Sequence, residues 1–98
     1  MVTALVLMNV ERGKINDVVQ SLLRLKGVSE VFSVAGQYDA IALLRTETND
    51  QIADLVTGHL RDIPHITHTE TLIAFRAFSR DDLSAAFSIG SDEPTLDT

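Results

Sequence analysis

Apolar residues along this chain switch between two periods, and each switch predicts a change of element. Residues 3–10 are rich in Val, Leu and Met without a helical period and run out at Glu11-Arg12-Gly13, which predicts a buried strand. Ile15, Val18, Val19, Leu22 and Leu23 then recur at three- and four-residue steps, with Asp17, Gln20, Ser21 and Arg24 between them. This is the pattern of an amphipathic helix, and Gly27 is read as its end. Over residues 28–35 the period returns to two, with Val28, Phe32 and Val34 on one side and Ser29, Val31, Ser33 and Ala35 on the other. Gly36-Gln37-Tyr38-Asp39 has turn chemistry and leads straight into an apolar run at 40–45, so the second and third strands are expected to form a hairpin.

Thr48 and Gln51 stand at the spacing of a capping box, and Ile52, Leu55, Val56, Leu60 and Ile63 supply the stripe of a second helix that stops before Pro64. His59 falls on the edge of that stripe. A two-residue rhythm then runs over residues 65–78, with Thr67, Thr69 and Thr71 on one side and His68 and Glu70 on the other. Taken as one strand it would extend about 46 Å at roughly 3.3 Å per residue.

Ala4, Ile15, Val18 and Leu23 recur 37 residues later as Ile41, Ile52, Leu55 and Leu60, so strand, helix and strand occur twice. A doubled βαβ unit predicts a ferredoxin-like α+β fold, with four antiparallel strands and both helices on one face. Ser79 is placed to cap a short helix through Leu83, Ala86 and Phe87 to Gly90, and the polar residues 91–98 read as a loose tail. The chain is thus divided into a domain at 1–78 and an appendage at 79–98. Two helices cover only one face of a sheet, while the other carries alternate members of Leu5, Leu7, Ile41, Leu43, Ile73 and Phe75. The expected remedy is a homodimer, sheet against sheet.

Fourteen acidic residues against eight basic ones give a net charge of -6, and the basic residues are scattered, which argues against direct nucleic-acid binding. The absence of Cys rules out disulfides, thiolate metal sites and a Cys nucleophile, and fits a cytoplasmic protein. No apolar run approaches the roughly 18 residues that span a bilayer, and the N-terminus lacks the basic segment of a signal peptide. No metal site is expected from His65-x-x-His68, because residues three apart on a strand point to opposite faces. No paired carboxylates, phosphate loop or nucleophile elbow occur, so neither catalytic residues nor a cofactor are expected.

Two features could hold a ligand. In the turn, the backbone N–H groups freed by Gly36 could take a carboxylate and Asp39 an ammonium; alternatively Asp39 serves only to bond the backbone of a hairpin. Thr67, Thr69 and Thr71 present hydroxyls to a ligand, or simply suit a strand.

The run Val34-Ala35-Gly36-Gln37-Tyr38-Asp39-Ala40-Ile41, followed by a helix, Ile63-Pro64 and a threonine strand ending Thr71-Leu72-Ile73-Ala74-Phe75, resembles the effector-binding (RAM) domain of the Lrp/AsnC regulators. With no helix-turn-helix ahead of the first strand, the chain is similar to the stand-alone form. The resemblance implies dimers joined through their sheets, rings such as octamers or decamers, and an amino acid bound between dimers. It implies a pocket lined by Gly36, Gln37, Tyr38 and Asp39, with Thr67 and Thr69. The function expected on this basis is a small-molecule sensor or modulator that adjusts full-length Lrp/AsnC regulators by mixing with them. The alternative is a dimeric α+β enzyme of the cofactor-free small monooxygenase type, whose enclosed polar cavity would draw on His59, His65 or His68.

Overall fold

Val2–Val10 (β1) and Ala40–Thr46 (β3) form the centre of a four-stranded antiparallel sheet, with Val28–Ser33 (β2) beyond β3 and Ile66–Ala74 (β4) beyond β1. The structure, a computed structural model, describes residues 1–78 and Arg80. The helix and tail expected over 79–98 lie, apart from Arg80, outside the described residues. Ile15–Leu23 (α1) connects β1 to β2, and Asn49–Asp54 (α2) begins the connection from β3 to β4. Together these give the α+β, ferredoxin-like βαββαβ order that the doubled pattern predicts.

One core lies between the sheet and its helices. Ala4, Val6 and Met8 on β1 and Ala40, Ala42 and Leu44 on β3 are buried together with Val18, Leu22, Ile52, Leu55 and Leu60 from the helical side. Three of the six sheet positions are alanine, whose small side chains allow close approach of the helices, and larger leucines fill the space above them. The internal repeat is therefore one position out of step in the strands. Ala4 matches the core-facing Ala40, whereas Ile41 points to the other face.

Several local expectations change. α1 ends at Leu23, and Gly27 serves the next turn with φ 102° while its carbonyl accepts from Arg45 N–H. Leu23 is exposed, off the buried stripe. In β2 a register shift between Val28 and Glu30 breaks the strict alternation, so Val28 and Val31 both pack against the core while Phe32 pairs with Ile41 on the far face.

The capping box of α2 is present, with Gln51 N–H donating to Thr48 Oγ1 at 3.2 Å and Thr48 N–H to Gln51 Oε1 at 3.1 Å. The helix then widens over Leu55–His59, where Leu60 N–H bonds the Leu55 carbonyl five residues back, and tightens into a 3₁₀ turn over Leu60–Asp62 before Pro64. The widened turn carries one extra residue and so keeps both Leu55 and Leu60 in the core.

β4 is shorter than its rhythm suggested: it spans nine residues and stops at Ala74, leaving Phe75 and Phe78 fully or almost fully exposed beyond it. Its register sets the two faces. Thr69, Thr71 and Ile73 lie opposite Met8, Val6 and Ala4 on the helical side, so Ile73 leaves the open face and Leu72, opposite Leu5, takes its place. The open face thus has a centre of Leu5, Leu7, Ile41, Leu43, Leu72 and Phe32, bordered by Glu30, Arg45, His68 and Glu70.

Gly27 and Gly13 both have positive φ, but only at Gly27 would an added Cβ meet a neighbour, 2.9 Å from Leu55 Cδ2. Gly13→Ala is expected to cost about 1–2 kcal/mol for its backbone angle alone, and Gly27→Ala about 2–4 kcal/mol because overpacking adds to it. Urea denaturation at one matched protein concentration measures both, and equal losses would mean that Leu55 does not crowd that turn.

Candidate functional site

The turn between β2 and β3 closes through Val34 N–H to the Asp39 carbonyl at 3.0 Å, and Gly36 occupies φ 133°, where a side chain is disfavoured. Open space adjoins Gly36, since no atom lies within 4 Å of where a Cβ would be. The turn is fastened to β1 from two sides. Asp39 N–H donates to the Met8 carbonyl at 2.9 Å, and Asn9 Nδ2 donates to the Gln37 carbonyl at 2.8 Å. Among the described residues the N–H groups of Gly36, Gln37 and Tyr38 have no partner within the chain.

Asp39 is partly occupied, because its Oδ2 accepts from Val10 N–H at 2.9 Å. That contact matches the backbone-bonding role, yet a carboxylate accepts up to about four bonds, so it retains capacity for a donor. The side chain lines an open groove of about 240 Å³ with Glu11, Arg12 and Val34. Tyr38 crosses β1 on the open face and donates its hydroxyl to Glu70 Oε1 on β4. The bond to Glu70, desolvation and the Glu70 charge, in that order, push the Tyr38 hydroxyl above its ordinary pKa.

Thr67 and Thr69 do not join this turn. They lie at the other side of the sheet, on the rim of an open groove of about 350 Å³ between β4 and the end of the second helical segment. Val56, Leu60 and Ile66 make its apolar floor, and Thr57, Arg61 and His68 complete its rim. Thr57 Oγ1 donates to the Ala53 carbonyl at 2.7 Å. Both features sit at one end of the sheet, since Asn9 and Val10 bond the turn and also pair with His68 and Ile66.

The three histidines do not converge. His59 lines a groove of about 660 Å³ at the opposite end with Lys26, Arg45 and Glu47. His65 precedes β4 rather than standing on it, with φ 77°, and its Nδ1 lies 2.7 Å from Glu11 Oε2 while its carbonyl accepts from Glu11 N–H. The strand geometry assumed for His65-x-x-His68 therefore does not hold. Among the described residues no three His, Asp or Glu side chains cluster as metal ligands.

Asn9, Glu70 and Arg61 escaped the sequence reading; a polar residue ending an apolar strand was the signal for Asn9, whereas Arg61 had none. Tyr38 is the chain's single tyrosine, so its phenolate can be titrated by absorbance without interference. Its midpoint is expected above that of a free tyrosine and to fall back toward it in Glu70→Gln. Because the folded value is raised, the stabilising bond is intact at neutral pH and is lost as pH rises through that midpoint. An unchanged midpoint in the variant would remove Glu70 as the partner.

Comparison with known proteins bears on what this frame carries. The sequence model of the Lrp/AsnC ligand-binding domain matches residues 3–83. An uncharacterized HTH-type transcriptional regulator of Pyrococcus horikoshii, PH1916, is 32% identical over 59 residues, 60% of this chain and 39% of that protein. The chain spans less than half the length of the curated relatives it matches. TTHA0845 from Thermus thermophilus superposes with a TM-score of 0.76 at 36% identity, over 82% of this chain and 100% of that one. The feast or famine regulatory protein Rv3291c of M. tuberculosis, in complex with L-methionine, has the same fold, with a TM-score of 0.68 at 22% identity over 83% of this chain and 54% of that one. With its family match over most of its length and its βαββαβ sheet, this chain belongs to the Lrp/AsnC ligand-binding domain family.

Proposed function

We propose that this protein is an oligomeric amino-acid sensor that adjusts amino-acid-responsive transcription through assembly with its own kind or with full-length Lrp/AsnC regulators, without binding DNA itself. The observation that carries this is the turn at 36–39, where three unpartnered N–H groups and the Asp39 carboxylate stand within four residues. Adjacent N–H groups suit an α-carboxylate, and Asp39 suits an α-ammonium, so one short turn matches both charges of an amino acid. The methionine complex of a family neighbour points the same way.

The open sheet face supports assembly. Its apolar centre would be a large exposed patch on a lone subunit, and a second copy placed sheet to sheet would remove it from water. The net charge of -6, with no cluster of basic residues, supports action on transcription through protein partners rather than DNA contact. The match to a ligand-binding domain model and the transcriptional regulators among the relatives support sensing rather than catalysis. A site completed by two subunits makes ligand binding and assembly reciprocal, so an effector that binds the junction must shift the oligomer distribution.

Sedimentation velocity with and without each amino acid tests this. We expect masses that are multiples of 10.7 kDa and a shift toward one assembly with the cognate effector. Asp39→Asn should weaken that effector about tenfold or more, the usual loss for a charged hydrogen bond. A monomer at micromolar concentration that binds no amino acid would overturn the proposal.

A further inference from the structure

The groove at the start of β4 differs in charge from the rest of the molecule. In a chain carrying 14 acidic residues, no Asp or Glu lines it, and Arg61 stands on its rim with no ion-pair partner among the described residues. A guanidinium offers a planar fork that fits a carboxylate in two parallel hydrogen bonds. Thr67 and Thr69 beside it carry hydroxyls able to donate to the same group, and Thr69 is held on this side by its place opposite Met8.

Arg61 follows the widened turn at Leu55–His59, a feature that in helices often accompanies functional sites.

We infer that this groove is the side-chain pocket of the effector site and that it selects an acidic amino acid, with Arg61 as the specificity-determining residue that pairs with the side-chain carboxylate. This rests on the reading of the turn at 36–39 as the site for the amino-acid head group. The two parts line separate grooves, Asp39 one with Val10 and Ile15, and Arg61 another with Thr67 and Thr69. In this proposal one molecule touching both lies between the turn of one subunit and the groove of a neighbour. Glutamate or aspartate would then be held at both ends, by N–H groups and Asp39 at the head and by Arg61, Thr67 and Thr69 at the tail. Lysine would meet Arg61 as a like charge, and leucine or methionine would leave Arg61 desolvated without a partner.

Isothermal titration of the full chain with glutamate, aspartate, glutamine, methionine, leucine and lysine tests this, together with Arg61→Gln and Arg61→Lys. Glutamate or aspartate should bind at least about tenfold more tightly than any neutral amino acid. Arg61→Gln should abolish that preference by weakening glutamate and aspartate while neutral amino acids bind as well as before or better, and Arg61→Lys should restore part of it. Arg61 is exposed, so the variants should keep the wild-type unfolding midpoint. Methionine or leucine binding as tightly as glutamate, or Arg61→Gln keeping the acidic preference, overturns this inference and leaves amino-acid sensing standing. Binding of no amino acid at all overturns both.

Discussion

A four-stranded sheet has two faces, and here two helical connections bury only one of them. Everything that positions the candidate site follows from that asymmetry. The buried face is built from Ala4, Val6, Met8, Ala40, Ala42 and Leu44, small enough at the alanines for Leu22, Leu55 and Leu60 to close over them. The other face carries leucine, isoleucine and phenylalanine, and among the described residues no helix lies above them. Because side chains alternate along a strand, a single register fixes both surfaces at once, and a slip by one residue would exchange them.

The central strands also anchor the end of the molecule that carries the candidate site. β1 finishes at Asn9 and Val10, and these two residues tie down the turn on one side while pairing with β4 on the other. Gly36 gives the turn a backbone angle that other residues disfavour, and the contacts to Met8, Asn9 and Val10 hold it in place. A loop fastened in this way has its N–H groups oriented before any ligand arrives, which lowers the ordering cost of binding. Asp39 has a double role, bracing β1 through Val10 N–H while keeping acceptor capacity toward the groove beside it.

The widened turn in the second helical segment shows how packing and site geometry are linked. Leu55 and Leu60 stand five apart, which a regular helix would send to different faces, and the extra residue brings both to the core. The same distortion carries Thr57 and Arg61 past the start of β4, where they border the groove. The sheet's last strand contributes the opposite wall, and among the described residues its outer edge is unpaired because β4 is a terminal strand of the sheet.

Alternation and helical periodicity in the sequence were enough to set the order of elements, the hairpin, the capping box at Thr48 and the turn at 36–39, because each depends on residues close in the chain. The resemblance to the Lrp/AsnC domain rested on that turn and that order. Other features depended on partners far away in sequence. The register shift in β2 is set by how Val28 and Val31 both reach the core, and Ile73 faces the helices because β1 pairs with it through Ala4. The end of β4 at Ala74 follows from where β1 begins, since a strand continues only while a neighbour offers hydrogen bonds. Tertiary structure alone brought Glu70 to Tyr38, Asn9 to Gln37 and Glu11 to His65, and separated Thr67 and Thr69 from the turn, because hydrogen bonds and cross-sheet facing are settled by three-dimensional register, which no local pattern encodes.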